Sequence, residues 1–178
     1  MSTEERFRPQ RLAYADPPYP GQAGPRYRGT EVDHAELIET LRTFDGWALS
    51  TSASALRDIW NLCPEARCAA WCKPYAKNTW TRVRWSWEPV LFMTSRTLHQ
   101  RGIDDFVSDS LHCPPDMRGW REVASRGGGA KPYRFVRWML ELIDYRDGDE
   151  LTDLFPGSGN VSTFAGIDQR ELFDEAMP

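Results

Sequence analysis

Short apolar runs alternate with amphipathic stretches along most of this chain, and this alternation limits the fold more than any other feature of the sequence. Apolar runs of strand length occupy positions 12–15, 47–50, 68–72, 89–93 and 151–155. Between them, apolar residues recur at helical spacing over 34–44, 54–62 and 133–143. The alternation predicts an α/β fold in which a mostly parallel sheet is covered by helices on both faces.

Length and composition favour one soluble domain. The chain has 178 residues, of which 40% are hydrophobic, enough to bury a single core. Because no apolar run approaches the length of a membrane span or a signal core, we expect a cytoplasmic protein without a membrane partner. The cysteines lack the close Cys-x-x-Cys pair of regular zinc sites, so we expect reduced thiols and no metal. They are Cys63, Cys68, Cys72 and Cys113.

Charge is distributed unevenly along the sequence. The net charge is -4, yet positions 67–101 contain seven basic residues and one acid, a net +6, whereas 141–178 contain ten acids and two arginines, a net -8. Aromatic side chains are interleaved with the basic ones, a composition typical of surfaces that follow a phosphate backbone and stack on bases. An ordinary solvated face over core aromatics is the alternative. The candidate nucleic-acid contacts are Lys73, Lys77, Arg82 and Arg84.

Two short motifs at opposite ends of the chain each accompany a predicted strand. Asp16-Pro17-Pro18-Tyr19 follows the first strand, and Asp153-Leu154-Phe155-Pro156-Gly157-Ser158-Gly159-Asn160 begins within the last one. Open α/β sheets bind ligands at the carboxyl ends of their strands, and glycines let a backbone turn tightly beneath a ligand. A proline turn and a plain glycine turn are the alternatives. Neither a third glycine nor a Gly-Lys-Ser/Thr sequence completes a nucleotide loop. We expect the first motif to react and the second to bind.

Two further landmarks lie between these motifs, Trp87-Glu88-Pro89 and Lys131-Pro132. In this order the four landmarks resemble the circularly permuted amino-methyltransferases of DNA, the β class, over positions 12–160. The resemblance implies a Rossmann-like methyltransferase fold that uses S-adenosyl-L-methionine. It also implies a single domain, 1–178, whose parts are a catalytic-loop half at 11–95, a short irregular target-recognition insert at 96–130, a cofactor-binding half at 131–165 and an acidic tail at 166–178.

The chemistry of this class accounts for the residue types in the first motif. The exocyclic amino nitrogen of adenine or cytosine is a poor nucleophile, because its lone pair is delocalised into the ring. By resemblance, the Asp16 carboxylate and the Pro17 carbonyl accept the two amino hydrogens and aim the nitrogen at the sulfonium methyl. Pro18 keeps the loop rigid, and Tyr19 stacks on a base that has left its helix. In the class that the chain resembles, an aspartate at this position favours adenine, which implies N6 of adenine in DNA; cytosine N4, RNA adenosine and a free small molecule are the alternative targets.

The same resemblance assigns the cofactor site. Its residues are Lys131, Pro132, Asp153, Phe155, Gly157, Ser158, Gly159 and Asn160. Since the class normally continues further than 161–178 to complete this site, we expect a second copy of the chain or a partner subunit to contribute. A non-catalytic methyltransferase-fold subunit that binds nucleic acid or a partner enzyme is the competing interpretation. As an enzyme, the chain is expected in a bacterial or phage restriction-modification setting.

Overall fold

The computed structural model describes residues 8–20, 31–73, 82–83, 85–96, 106–113, 131–156 and 161. Within these residues the chain forms one six-stranded sheet and three helices. The strands are β1 (Arg11–Ala15), β2 (Gly46–Ser50), β3 (Arg67–Cys72), β4 (Trp87–Thr94), β5 (Ser110–His112) and β6 (Glu150–Asp153). The helices are α1 (His34–Leu41), α2 (Leu56–Leu62) and α3 (Tyr133–Leu142).

All strands of this sheet except β4 run in the same direction. The strand order is β5-β3-β4-β2-β1-β6, in which β1 is parallel to β2 and β6, and β3 is parallel to β5. Strand β4 is antiparallel to both of its neighbours, β2 and β3. The parallel strands therefore end along one edge, where β4 begins; we call it the carboxyl edge, and the opposite one the amino edge. The prediction of a mostly parallel sheet is confirmed.

Helices cover both faces of the sheet, so its central strands are apolar on both sides. Residues 12–15 of β1 are all buried. Successive side chains of a strand point to opposite faces. Leu12 and Tyr14 accordingly pack with α3, whereas Ala13 and Ala15 pack with α1 and α2. The α3 face is filled by Phe135, Val136, Met139 and Leu140, and the other face by Leu37, Ile38, Leu41 and Ile59. The expected two-sided α/β architecture is present.

Three strands differ from the predictions by more than one residue or were not predicted, and one of them, β6, ends two residues before the end of the predicted 151–155. Strand β4 covers Trp87–Thr94, three residues more than the predicted 89–93. Strand β5 lies inside 96–130, for which no strand was predicted, and its three residues include a single apolar one, Leu111. Backbone pairing with β3 stabilises this strand. Just before it, the Ala70 amide donates to the Asp109 carbonyl at 2.8 Å. Positions 97–105, 114–130 and the predicted acidic tail at 166–178 lie outside the described residues.

Candidate active site

The first motif predicted from the sequence and the described start of the second, residues 153–156, lie side by side at the carboxyl edge. Strand β1 ends immediately before Asp16, and β6 ends at Asp153. These strands are parallel neighbours in which Tyr14 is opposite Asp153. The Leu154 amide donates to the Tyr14 carbonyl at 2.9 Å, which extends the pairing beyond the end of β6. The fold thus brings together the ends of two strands that are more than 130 residues apart in sequence.

The Asp16 carboxylate is paired with a buried lysine. Lys131 Nζ lies 3.2 Å from Asp16 Oδ1, and the two side chains are 7% and 27% exposed, respectively. Lys131 precedes Pro132, which caps α3 with an extended backbone conformation. A proline is well tolerated at the start of a helix, because the first amides have no intrahelical partner. The Lys131-Pro132 sequence therefore places an ammonium group where α3 meets the carboxyl edge.

Two more charged residues extend this pair into a network. Lys131 Nζ also lies 3.5 Å from Glu88 Oε2, and the other oxygen of Glu88 is paired with Lys73 Nζ. Lys73 follows β3 and Glu88 belongs to β4, so their position is fixed by antiparallel pairing of these strands. Two lysines and two acids compensate one another, as partly buried charges require.

Aromatic rings form the wall behind the lysines. Lys131 Nζ lies 5.3 Å from the centroid of the Trp71 ring and 5.2 Å from that of Phe135. Lys73 Nζ lies 4.3 Å from the Trp71 centroid. A cation within about 6 Å of an aromatic face is attracted to it. The centroids of the Trp71 and Phe135 rings are 4.8 Å apart, so the two rings also pack against each other in the core next to the site.

Burial and neighbouring charges shift the protonation of these groups. Burial raises the pKa of Asp16, and the nearby Lys131 ammonium opposes that rise. Burial works against the charge on Lys131, but the surrounding negative charge, led by Asp16, holds its pKa well above the usual value. Burial would raise the pKa of Glu88, yet Lys131 and Lys73 lower it. Burial also raises the pKa of Tyr19, so that its phenol stays protonated.

The described part of the predicted cofactor site contains the half-buried carboxylate of Asp153. The Phe155 amide donates to Asp153 Oδ1 at 3.1 Å. Burial raises the pKa of Asp153, and the negative charge of Asp16 adds to that rise. A partly buried carboxylate of this kind suits a cationic group of a ligand. The predicted residues Gly157, Ser158, Gly159 and Asn160 lie outside the described residues.

The candidate nucleic-acid residues are distributed differently from their positions in the sequence. Lys73 belongs to the charge network, Arg82 is exposed on the segment joining β3 to β4, and Lys77 and Arg84 lie outside the described residues. That segment begins and ends at the carboxyl edge, where the Lys73 amide donates to the Ser86 carbonyl at 2.7 Å.

Sequence reasoning assigned no role to Glu88, although it quoted the residue within Trp87-Glu88-Pro89. The available signal was its isolation, because it is the single acid between 67 and 101. The buried hydrogen bond between the Tyr14 hydroxyl and Ser50 Oγ, 2.9 Å long, was also missed. It joins the carboxyl-terminal parts of β1 and β2, close in sequence to Asp16.

Two absences hold for the part of the chain that the structure covers. No group of three or more histidine, cysteine or acidic side chains is placed to hold a metal ion among the described residues. Likewise, none of the helices in those residues combines the length and apolarity that a membrane crossing needs.

The sheet order, its single antiparallel strand and the helices on both faces define a Rossmann-like α/β fold of the methyltransferase type. The crystal structure of an M1.HpyAVI–SAM complex is similar to this chain, with a TM-score of 0.53 and 13% identity over 91% of this chain and 80% of that one. A crystal structure of M1.HpyAVI gives a TM-score of 0.55 and 14% identity over 90% and 78%. At such identity the likeness shows the fold alone. No family model and no curated protein matches the sequence.

Proposed function

We propose that this protein transfers a methyl group from S-adenosyl-L-methionine to the exocyclic amino group of a nucleobase, and that the base is adenine, modified at N6 in DNA. The observation that carries the proposal is the adjacency of the Asp16 loop and the Asp153 strand end on parallel neighbouring strands. Support also comes from the similar fold of M1.HpyAVI, a DNA methyltransferase that has been solved with SAM.

The base side of the reaction is assigned to 16–19. The Asp16 carboxylate and the Pro17 carbonyl accept the amino hydrogens of the target base, which localises the lone pair on its nitrogen. Pro17 is buried, so the loop backbone is held by the core, and the half-buried Tyr19 ring stacks on the base. After transfer the methylated nitrogen loses a proton to solvent. Asp16 orients the amino group and does not need to be a strong base.

The cofactor side is assigned to Asp153, Phe155 and the predicted loop at 157–160. When bound, S-adenosyl-L-methionine supplies an electrophilic methyl group on a positively charged sulfur. The described residues fit such a ligand, because Asp153 provides a half-buried carboxylate at the end of β6, on the strand next to β1. Lys131 was assigned to this side by resemblance, but its ammonium contacts Asp16 and Glu88. We therefore place Lys131 with the base side and keep Pro132 as the residue that starts α3.

The proposed partner is DNA whose target base has left the helix, since the amino group is otherwise paired. Lys77, Arg82 and Arg84 are proposed to contact its phosphates, whereas the ammonium group of Lys73, which was predicted with them, is paired with Glu88. A second copy of the chain or a partner subunit is proposed to complete the recognition and cofactor surfaces.

Calorimetric titration with S-adenosyl-L-methionine and with its demethylated product tests the cofactor first. Labelled-methyl transfer to unmethylated DNA and RNA, followed by nucleoside analysis, then tests the reaction. We expect micromolar binding of both compounds and N6-methyladenine in DNA. A product methylated at cytosine N4 or in RNA would mean that the protein is a methyltransferase with a different substrate. Binding without transfer would instead favour a non-catalytic subunit, and no binding at millimolar ligand would refute the proposal.

A further inference from the structure

We propose that Lys131 is a positioning residue that holds the Asp16 carboxylate in the orientation needed for the target base. Glu88 binds the same ammonium group and thereby weakens the interaction between Lys131 and Asp16. The inference rests on the proposed function and extends it to residues outside the catalytic loop. It assigns both residues to the base side of the site.

Lys131 contacts both of these acceptors and the aromatic rings behind them. Its Nζ lies 3.2 Å from Asp16 Oδ1 and 3.5 Å from Glu88 Oε2, with 7% of the side chain exposed. The Trp71 and Phe135 rings lie within 5.3 Å of the ammonium on the core side. Because the side chain starts next to α3 and is enclosed on this side, it has little freedom to leave Asp16.

By holding one oxygen of the Asp16 carboxylate, Lys131 would determine which oxygen accepts a hydrogen bond from the base. Lys131 approaches Oδ1 of Asp16. In this proposal, Oδ2 is the oxygen that accepts an amino hydrogen of the base. A carboxylate without this partner would rotate about its terminal torsion, which is broad for aspartate. It would also become protonated more easily in a half-buried position, and a protonated carboxyl has one acceptor fewer to offer.

Charged and titratable groups face Asp16 from several elements. The lysines are Lys131, beside α3, and Lys73, after β3; the remaining groups are Glu88 on β4, Tyr14 on β1, Tyr19 on the loop and Asp153 on β6. Burial raises the pKa of Asp16, Lys131 and Lys73 lower it, and Glu88 raises it. Removing Lys131 and removing Glu88 should therefore move the pKa of Asp16 in opposite directions.

Carboxyl carbon-13 NMR titration of the full-length chain tests this linkage without any ligand. The Asp16 signal is assigned by its loss in Asp16→Asn. We expect Lys131→Met to raise the pKa of Asp16, Glu88→Gln to lower it, and Lys131→Arg, which keeps the charge, to leave it close to that of the unaltered protein. No change in Lys131→Met, or shifts of the same sign in Lys131→Met and Glu88→Gln, would overturn the proposal. If Lys131→Met does not fold, Glu88→Gln decides alone, because only a lowered pKa supports the linkage.

Steady-state kinetics across pH test the catalytic consequence. Losing a hydrogen bond to a charged group corresponds to roughly a 10- to 100-fold change. We expect Lys131→Met to lower kcat by about that factor at neutral pH, to leave KM for S-adenosyl-L-methionine nearly unchanged, and to move the acidic limb of the kcat profile to higher pH. Lys131→Arg should restore part of the activity. A rise in KM with unchanged kcat would overturn the proposal and return Lys131 to the cofactor side.

The two tests separate the possible failures. If the unaltered protein transfers no methyl group to any nucleic acid, the proposed function fails. In that case the NMR titration still decides whether Lys131 and Glu88 control Asp16.

Discussion

Asp16 is the side chain on which the proposed transfer depends most directly, because it would contact the reacting amino group. Removing a group that stabilises charge in a transition state typically lowers kcat by about 100- to 1000-fold. We expect Asp16→Ala to show a loss of this size while calorimetry gives S-adenosyl-L-methionine affinity within about threefold of the original. Asp58→Asn on the exposed side of α2 removes one carboxylate elsewhere and should change neither quantity. Equal losses of transfer and cofactor binding would contradict the assigned role.

Asp153 should control binding of the cofactor. A carboxylate that pairs with a cationic group contributes through a charge-assisted hydrogen bond, so we expect Asp153→Asn to weaken S-adenosyl-L-methionine binding by roughly tenfold or more. Burial raises the pKa of Asp153, so affinity should fall as pH decreases, starting at a higher pH than for an ordinary aspartate. Calorimetric titrations from neutral to mildly acidic pH measure this dependence. Retention of the full pH dependence in Asp153→Asn would place the responsible group elsewhere.

At this scale the sequence identified individual residues better than their partners. Asp16, Lys131 and Asp153 were all singled out from short motifs. The contact between Asp16 and Lys131 joins residues more than 110 positions apart, and the contact with Glu88 depends on β4 running antiparallel to β3. No local pattern records such pairing, because it is created when the sheet assembles.

Among the elements, β4 and β6 are joined at the amino edge by a buried ion pair. Arg96, just beyond β4, donates to both oxygens of Asp149, just before β6, at 2.6 and 2.7 Å. Their side chains are 9% and 1% exposed. Asp149 also accepts from the Gln10 amide ahead of β1 and from the Arg146 amide, both at 2.8 Å. One carboxylate therefore ties together the approaches to two strands that carry the proposed active site.

Breaking this pair should destabilise the protein. Removing one partner of a buried ion pair typically costs about 3–5 kcal/mol, so we expect Arg96→Ala and Asp149→Asn to lower the free energy of unfolding in urea by about this amount. Arg42→Ala is the matched control, because its pairs with Glu39 and Glu65 are on the surface. Its effect should be far smaller. Equal losses in Arg96→Ala and Arg42→Ala would contradict a special role for the buried pair.

The same pair predicts how stability depends on pH. Burial would raise the pKa of Asp149, but the hydrogen bonds from Arg96, Gln10 and Arg146, together with the charge of Arg96, outweigh it and lower the pKa in the folded state. The stabilisation is therefore complete above the pKa of an unfolded aspartate and is lost as pH falls through the lower, folded-state pKa. We expect urea unfolding at decreasing pH to show this loss, and Asp149→Asn to have a flatter acid dependence. Parallel acid profiles would contradict the expectation.

Periodicity predicted most elements but not all of their properties. Helix α3 was predicted at 133–143 and is observed at Tyr133–Leu142. It could be predicted because six of its residues are buried apolar side chains, which give a clear helical pattern. The direction of β4 could not be predicted, since a run buried on both faces looks the same in either orientation. Strand β5 was not predicted, because its strand conformation depends on backbone pairing with β3 more than on its own side chains.

Across the whole molecule, the basic segment 67–101 contains residues at opposite edges of the sheet. Arg67 begins β3 at the amino edge, where its guanidinium lies 5.3 Å from the Phe92 ring centroid, and Arg96 is occupied at the same edge by Asp149. Arg82 lies on the segment that connects β3 and β4 at the carboxyl edge, with Trp85 59% exposed nearby in sequence. The residues that give this segment its net charge of +6 therefore do not form a single surface. The half nearest Asp16 is the part that can follow a bound nucleic acid.

This division can be tested by the salt dependence of DNA binding. Each phosphate contact contributes roughly 0.9 to the slope of log affinity against log salt. We expect Arg82→Gln to reduce the slope by about one contact when a short duplex is titrated by fluorescence anisotropy at several salt concentrations. Arg67→Gln removes the same charge at the amino edge, so its slope should equal that of the unaltered protein. An unchanged slope in Arg82→Gln would make that part of the chain an ordinary solvated surface, whereas equal reductions in both variants would mean that net charge, and not the carboxyl edge, attracts DNA.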